Sequence, residues 1–165
     1  MRKYFLSLVA MAAMILFSGC NKNEDFYISE NGDMVTFNIA TPEMGTRAFS
    51  DGTTANKLIV AVYQGGQYRE ALTQNVAINR SAQVSLPLVT GVTYDIVFWA
   101  YADGAPYTFS TANNEFVVSV DYTNVTANNE KLDAFYANRL AYKVEGPKTE
   151  TVNLTRPFAQ LNVAT

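Results

Sequence analysis

From about residue 34 onward, apolar and polar residues alternate with a period of two, and this pattern restricts the fold more than any other feature of the chain. Between residues 93 and 101, every second side chain is apolar: Tyr94, Ile96, Phe98 and Ala100. An extended backbone points successive side chains to opposite faces, so this segment is predicted to be a strand with one buried face. Bulky residues also occupy the intervening positions, which predicts that the other face is partly covered.

Other short apolar segments recur along the chain, separated by turn residues, and one of them is the continuous apolar run from Leu58 to Tyr63, which is typical of a central strand. Strands are predicted at residues 35–40, 58–63, 75–79, 83–88, 93–101, 116–122, 149–154 and 159–163. Gly65 and Gly66 predict a tight hairpin, because glycine readily adopts the positive φ angles of such a turn. Pro87 has no backbone N–H to donate, which predicts a sheet edge or a strand end at that position. The segment Leu132–Leu140 is interpreted as a short helical turn. The fold class that follows is all-β, a β-sandwich of about seven strands with one short helical turn.

The first twenty residues have the organisation of a bacterial export signal. Arg2 and Lys3 precede an apolar run that is too short for a comfortable membrane span, and Ser18-Gly19-Cys20 follows it. This ending resembles a lipobox, which implies cleavage by signal peptidase II between Gly19 and Cys20 and acylation of Cys20. Residues 1–19 are therefore predicted to be a lipoprotein signal peptide. A plain signal peptide with a chance cysteine, or a membrane anchor, are the alternatives.

Residues 20–33 are predicted to form a flexible acidic tether between the lipid and the folded domain. The pair Glu24-Asp25 is similar to the short acidic export signal of surface lipoproteins in Bacteroidota. We therefore expect a lipid-anchored protein of the cell outer membrane that is exposed at the surface, with a periplasm-facing protein as the alternative. Because Cys20 is the only cysteine, the chain cannot form an internal disulfide, and its stability must come from packing.

Charge and composition exclude several classes of function. The signal carries two of the twelve basic residues and no acidic ones, so its removal lowers the formal net charge from −3 to −5. An acidic chain without a basic cluster is not expected to bind nucleic acid. Histidine is absent, which removes the commonest general base and metal ligand. No phosphate-binding loop, zinc-ligand spacing or nucleophile motif occurs either, so we expect no catalysis, no cofactor and no metal.

Three segments together resemble a known family. They are the segment from Val152 to Val163, the segment from Leu132 to Ala137, and the Phe98-Trp99-Ala100-Tyr101 run. Their order and spacing are similar to the N-terminal domain of fimbrillin-like lipoproteins, the subunits of type V pili. The resemblance implies a transthyretin-like β-sandwich over residues 34–165, followed by a second domain in a longer protein. A different Bacteroidota surface lipoprotein with a similar sandwich is the alternative.

The same resemblance implies a mechanism of assembly. Stalk subunits of such pili lose their first strand after an arginine-specific protease cuts the following loop, and a strand of another pilus subunit fills the groove. Here the cut would fall between Arg47 and Ala48, and the strand would carry Val35, Phe37 and Ile39 inward. The physical basis is β-strand addition, in which backbone hydrogen bonds and alternate side chains bind the partner. Alternatively, Arg47 is an ordinary loop arginine, or the chain is an uncut anchor subunit.

The competing function is a surface lipoprotein that binds a glycan or a host protein. Trp99, Tyr101 and Tyr107 lie near a loop containing glycine and aspartate, and aromatic faces can stack on sugar rings. In a β-rich protein such residues more often pack in the interior. The two interpretations differ in the exposure of Trp99, because a ligand platform requires an accessible ring.

Overall fold

The computed structural model describes residues 32–42, 52–124, 126 and 129–157. The predicted signal peptide, the lipidated cysteine, nearly all of the tether, the segment around Arg47 and the strand predicted at 159–163 lie outside the described residues. Within them the chain forms ten strands, in chain order: β1 Asp33–Ala40, β2 Lys57–Gln64, β3 Gln67–Tyr68, β4 Gln74–Ala77, β5 Ser81–Leu88, β6 Thr93–Tyr101, β7 Tyr107–Ser110, β8 Val117–Val120, β9 Ala134–Lys143 and β10 Lys148–Asn153. Three short 3-10 helices also occur, at Glu70–Leu72, Ala112–Asn114 and Glu130–Leu132.

Two sheets pack face to face. The first has the strand order β10-β1-β5, in which β1 is antiparallel to β5 and parallel to β10. The second is built on β2, which pairs with β6, and β6 pairs in turn with β9. The short strands β3 and β4 pair with opposite ends of β2. The predicted all-β sandwich is therefore confirmed.

The core lies between the two sheets and follows the period-two pattern of the sequence. Each sheet contributes its inward-facing side chains, the largest of which are fully buried: Phe37, Ile39, Leu58, Leu86, Leu88, Tyr94, Ile96, Phe98, Phe135 and Leu154. In β6 the inward face is the one predicted from the alternation of the sequence. Burial of this apolar surface is the main stabilising contribution to the fold, since the chain cannot form a disulfide.

A third layer covers the outer face of the second sheet. The hairpin of β7 and β8 lies there, and Phe109, with the neighbouring Phe116, packs against residues of β2 and β6. This layer explains why both faces of β6 carry bulky side chains, as predicted. The strand β7 was not predicted from the sequence, because a segment of four residues is too short for its alternation to be recognised.

Several local predictions can be compared with the structure. Gly65 and Gly66 have φ angles of 58° and 75° in the β2–β3 turn, as expected for a tight hairpin. Pro87 lies on β5, which is the outer strand of its sheet, as predicted. The helical turn predicted over Leu132–Leu140 is wrong, because the 3-10 helix ends at Leu132 and β9 begins at Ala134. Good helix formers occur there, but pairing with β6 and burial of Phe135 outweigh local helix propensity.

A buried ion pair fixes the end of the described chain. After β10, the backbone crosses from the first sheet to the second, where Thr155 and Tyr136 exchange two hydrogen bonds of 2.8 Å. Arg156 then contacts Asp133 through Nε at 2.7 Å and Nη2 at 3.0 Å, and its guanidinium lies 5.3 Å from the centre of the Phe135 ring. The side chains of Arg156 and Asp133 are only 15% and 4% exposed. The two segments that carry most of the family resemblance are thus joined in space.

Replacing Arg156 with alanine should lower the free energy of unfolding by about 3 kcal/mol, because the Asp133 carboxylate would be left buried without its guanidinium. Urea unfolding followed by the fluorescence of Trp99, the only tryptophan, measures this change. As a control, Lys148→Ala removes an ion pair to Glu150 whose lysine is 57% exposed, and this variant should unfold like the wild type. Equal effects of the two substitutions would contradict the conclusion that the buried Asp133–Arg156 pair stabilises the fold more than the exposed Lys148–Glu150 pair does.

Candidate functional site

The strand predicted to be exchangeable, β1, is the central strand of the first sheet. All eight of its residues pair with β5, and the six from Val35 to Ala40 also pair with β10. A strand in this position satisfies the backbone groups of two neighbours at once. Without β1, β5 and β10 would each present an unpaired edge, and the core between them would open as a groove.

The side chains that would line such a groove contact β1 from both sheets. Val35, Phe37 and Ile39 are 0%, 0% and 1% exposed, so the inward set of β1 is buried. The Phe37 ring centre lies 5.4 Å from that of Phe98 and 5.9 Å from that of Tyr142, both in edge-to-face geometry. Phe37 therefore bridges from the first sheet to β6 and β9 of the second.

The outward side chains of β1 form polar contacts with β5. The hydroxyl oxygens of Thr36 and Ser85 are 2.8 Å apart, and Gln83 Nε2 donates to Asn38 Oδ1 over 2.8 Å. These two contacts fix the register of β1 on β5 independently of the core. A shift by one residue would turn the apolar set outward and break both contacts.

Both ends of β1 are held by specific interactions. At its beginning, Thr90 donates a short hydrogen bond to Asp33, and a Cβ on Gly32 would come within 2.7 Å of the Pro87 backbone. At its end, Leu154 N donates to the Ala40 carbonyl over 2.8 Å, and the Thr41 backbone N donates to the Arg80 carbonyl over 2.8 Å. The backbone is therefore held by hydrogen bonds as far as Thr41, the residue before Pro42.

The segment that contains Arg47 and Ala48 begins directly after this point and lies outside the described residues, as does Cys20. Its two described flanks are close together in space. A Cβ built on Gly52 would lie 3.6 Å from Thr41 Oγ1 and 3.2 Å from the ring of Phe135. Both flanks contact the folded domain. A cut between them would therefore break the covalent connection of β1 to the later strands, while the noncovalent contacts of both flanks would remain.

The three aromatic residues considered as a ligand platform occupy different environments. Trp99 and Tyr107 are 7% and 8% exposed, with ring centres 5.9 Å apart beneath the β7–β8 layer. The Tyr107 hydroxyl donates a short hydrogen bond to the Leu132 carbonyl, and burial raises the pKa of Tyr107 to about 12. Neither ring is accessible for stacking, so the burial of Trp99 and Tyr107 favours the packing interpretation and corrects the platform built on them.

Tyr101 is only partly buried and borders a cavity of about 170 Å³. The other residues lining the cavity belong to the beginning of β2 and to β4: Lys57, Leu58, Asn75, Val76 and Ala77. The Lys57 ammonium is 4.0 Å from the Asp103 carboxylate, and burial together with that carboxylate raises the pKa of Tyr101. The cavity thus combines an aromatic ring, a cation and an amide.

Neither a metal site nor a membrane-spanning helix is found in the described part of the chain. No group of three or more His, Cys, Asp or Glu side chains converges there. None of the helices in those ranges is long and apolar enough to cross a membrane.

Sequence reasoning identified β1 but not the residues that receive it. Tyr142 and β10 lie more than 100 positions after Phe37, and no local pattern indicates that they are neighbours. The parallel pairing of β1 with β10 is likewise a tertiary contact without a turn signal. Covariation between these positions among homologous sequences is the kind of signal that could reveal such contacts.

The chain belongs to a family described as a family of unknown function (DUF6562), which matches residues 29–165. Two solved structures are similar to it. One, from Bacteroides thetaiotaomicron, is described as candidate polysaccharide binding proteins (DUF1812), with 17% identity, a TM-score of 0.47, and coverage of 75% of this chain and 47% of that one. The other is a candidate adhesin from Bacteroides ovatus, with 16% identity, a TM-score of 0.49, and coverage of 78% and 49%. This chain spans about half the length of each. No protein of curated function is a significant sequence match.

Because the pKa of Tyr107 is raised in the folded state, the free energy of unfolding depends on pH in the alkaline range. The folded state favours the neutral phenol, so this contribution is complete below pH 10 and is lost as the pH rises toward about 12. Tyr107→Phe should lower the free energy of unfolding by about 1 kcal/mol at pH 8, where the hydrogen bond is lost. The same variant should lose less stability between pH 10 and 12 than the wild type. Urea unfolding at several pH values tests this, and parallel profiles would contradict it.

Proposed function

We propose that this chain is exported as a lipoprotein and serves as a structural subunit of a surface pilus, whose subunits join by exchange of a β-strand and contribute to cell adhesion. The observation that carries the proposal is the position of β1. It lies between two hydrogen-bonded neighbours and fills the core with a fully buried apolar set. Its replacement by another strand would restore the backbone pairing and the side-chain contacts, which is the energetic requirement for β-strand addition.

The flanks of the predicted cleavage segment support the same proposal. Thr41 and Gly52 are fixed close together, and the intervening residues contain a single arginine, Arg47. Proteolysis between Arg47 and Ala48 would convert β1 from a covalent part of the domain into a bound strand. Such a strand can be displaced by a competitor, whereas the uncut β1 is retained by its covalent connection.

The proposed route begins at the outer membrane. Residues 1–19 would be removed as a signal peptide, the lipid on Cys20 would anchor the chain, and residues 20–33 would connect it to the domain. Cleavage after Arg47 would free a stalk or tip subunit, which begins at Ala48, from the lipid anchor. The lipidated fragment would contain β1, so the subunit would no longer be covalently connected to its first strand. An anchor subunit of the same pilus would keep both the lipid and β1.

Arg47→Ala should prevent maturation and assembly in the native cell. The wild-type chain recovered from surface polymers should begin at Ala48 and carry no lipid, whereas the variant should begin at acylated Cys20 and remain in the membrane fraction. N-terminal sequencing and intact mass of the recovered protein distinguish the two. Thr46→Ala is the matched control, because it changes the same segment but keeps the arginine. Polymers of Arg47→Ala at the wild-type level would reject cleavage as a required step.

A surface binding module is the second candidate function, and the cavity beside Tyr101 is the observation that favours it. The residues that line its volume of about 170 Å³ include an aromatic ring, a lysine and an asparagine, which can supply stacking, charge and hydrogen bonding. That combination suits a single acidic sugar residue better than a long neutral chain, because one cation and one ring fall within the cavity.

A glycan array that includes uronic and sialic acids tests this candidate. Wild-type protein should bind acidic glycans, and Tyr101→Ala and Lys57→Glu should each reduce that binding by about tenfold or more, since each removes one of the few polar or aromatic contacts. Lys57→Glu reverses the charge without removing a packed ring, so it separates loss of contact from loosening of the β7–β8 layer. Tyr136→Ala, which removes an exposed tyrosine on β9, is the control. Absence of binding to any acidic glycan would reject the candidate.

A further inference from the structure

We infer that the groove beneath β1 selects its incoming strand by one central aromatic side chain, flanked two positions away on each side by aliphatic residues and separated from them by polar ones. This inference rests on the strand exchange proposed above and specifies the partner of that site. The chain's own segment Val35-Thr36-Phe37-Asn38-Ile39 is the reference for that pattern.

The central position is the most demanding of the three. The Phe37 ring meets Phe98 and Tyr142 with interplanar angles of 63° and 62°, so aromatic rings receive it from two different strands of the opposite sheet. Edge-to-face contacts depend on ring orientation, and an aliphatic side chain of similar volume cannot reproduce them. An aromatic side chain is therefore preferred at this point of the groove.

The receiving ring of Tyr142 is itself held in place from the first sheet. Its hydroxyl lies 3.3 Å from Glu150 Oε1, and Glu150 is the residue of β10 that pairs with Phe37. Lys148 Nζ contacts the same carboxylate at 2.8 Å. Because the contacts among these three residues do not involve β1, they can keep Tyr142 oriented for an incoming aromatic side chain.

The two flanking positions hold aliphatic residues whose cross-strand neighbours differ in size. Val35 pairs with Leu86 on β5, whereas Ile39 pairs with the smaller Ala82. A larger side chain is accommodated where the cross-strand neighbour is small, which favours isoleucine or leucine at the second flank. Aliphatic side chains have no ring orientation to match, so these flanks distinguish less sharply between side chains than the central position does.

Polar residues between the apolar ones set the register. Thr36 and Asn38 contact Ser85 and Gln83, and a partner strand with hydroxyl or amide groups at these positions would repeat both contacts. The strand must run parallel to β10 and antiparallel to β5 to place them there. The groove thus contacts both faces of the incoming strand, and it favours apolar side chains on one face and polar side chains on the other.

Peptide exchange on the nicked full chain tests this inference. Cys20→Ser protein, which cannot be lipidated, is cut with an arginine-specific protease, and the nick at Arg47 is verified by mass. A fluorescent peptide covering residues 32–42 is then added, and its incorporation is followed by anisotropy and by native mass spectrometry of the displaced fragment. A peptide with Phe37→Leu should bind about tenfold more weakly or worse. Val35→Ala should cost less, and a peptide with Thr36 and Phe37 interchanged should not exchange.

Variants of the acceptor separate the pocket from general stability. Tyr142→Phe keeps the ring but removes the hydroxyl contact with Glu150, so it should reduce the preference for phenylalanine over leucine only slightly, whereas Tyr142→Ala should reduce it severalfold while the Val35→Ala peptide keeps its relative affinity. Exchange of all peptides with equal affinity would overturn the aromatic selection and leave the proposed function standing. No exchange with any peptide on the nicked chain would overturn both.

Discussion

The structure depends on one strand, β1, which supplies backbone pairing to two neighbours and its apolar side chains to the shared core. Phe37 contacts rings on both β6 and β9 of the opposite sheet, so its side chain connects this strand to both of them. It is also the first strand of the described residues, and the segment with Arg47 follows its last pairing residue after a short interval. A strand that is central in its sheet and precedes the other described strands can be separated from them by a single cut. This combination is what the proposed exchange of β1 requires.

Side chains occupy backbone acceptors on the outer strands of both sheets. Arg139 donates to the carbonyl of Asn138 on β9 at 3.0 Å and to that of Thr151 on β10 at 3.1 Å, so one guanidinium occupies acceptors on the edges of both sheets. At the opposite side, Gln74 Nε2 donates to the Ser85 carbonyl of β5 over 2.9 Å. Occupied acceptors and charged edges oppose uncontrolled strand addition. The inward-facing edges of β5 and β10 are instead occupied by the backbone of β1.

How far the sequence predicts this arrangement depends on the range of the interactions. Alternation of apolar residues located β1, β5 and β6 closely, because burial of one face is a local pattern with a fixed period, and a continuous apolar run located β2. The same reasoning failed at Leu132–Leu140, where pairing with β6 decides the conformation, and at β7, which is too short to show a period. Trp99 and Tyr107 were open to two interpretations, because only the β7–β8 layer determines that they are covered. The ion pair of Asp133 and Arg156 joins residues 23 positions apart, and neither position carries a local signal for the other.

An acceptor for strand exchange must keep its walls in place while its central strand is replaced, and the contacts around β10 meet this requirement. With β1 absent, β10 would have no neighbour in its own sheet, since it is the outer strand. It would still be connected to the second sheet through Arg139 and Glu150, 3.9 Å apart, and through the crossing of the chain onto Tyr136. The buried pair of Asp133 and Arg156 follows directly after that crossing and prevents it from separating. These contacts use no atom of β1, so they would remain if another strand took its place, as the proposed exchange requires.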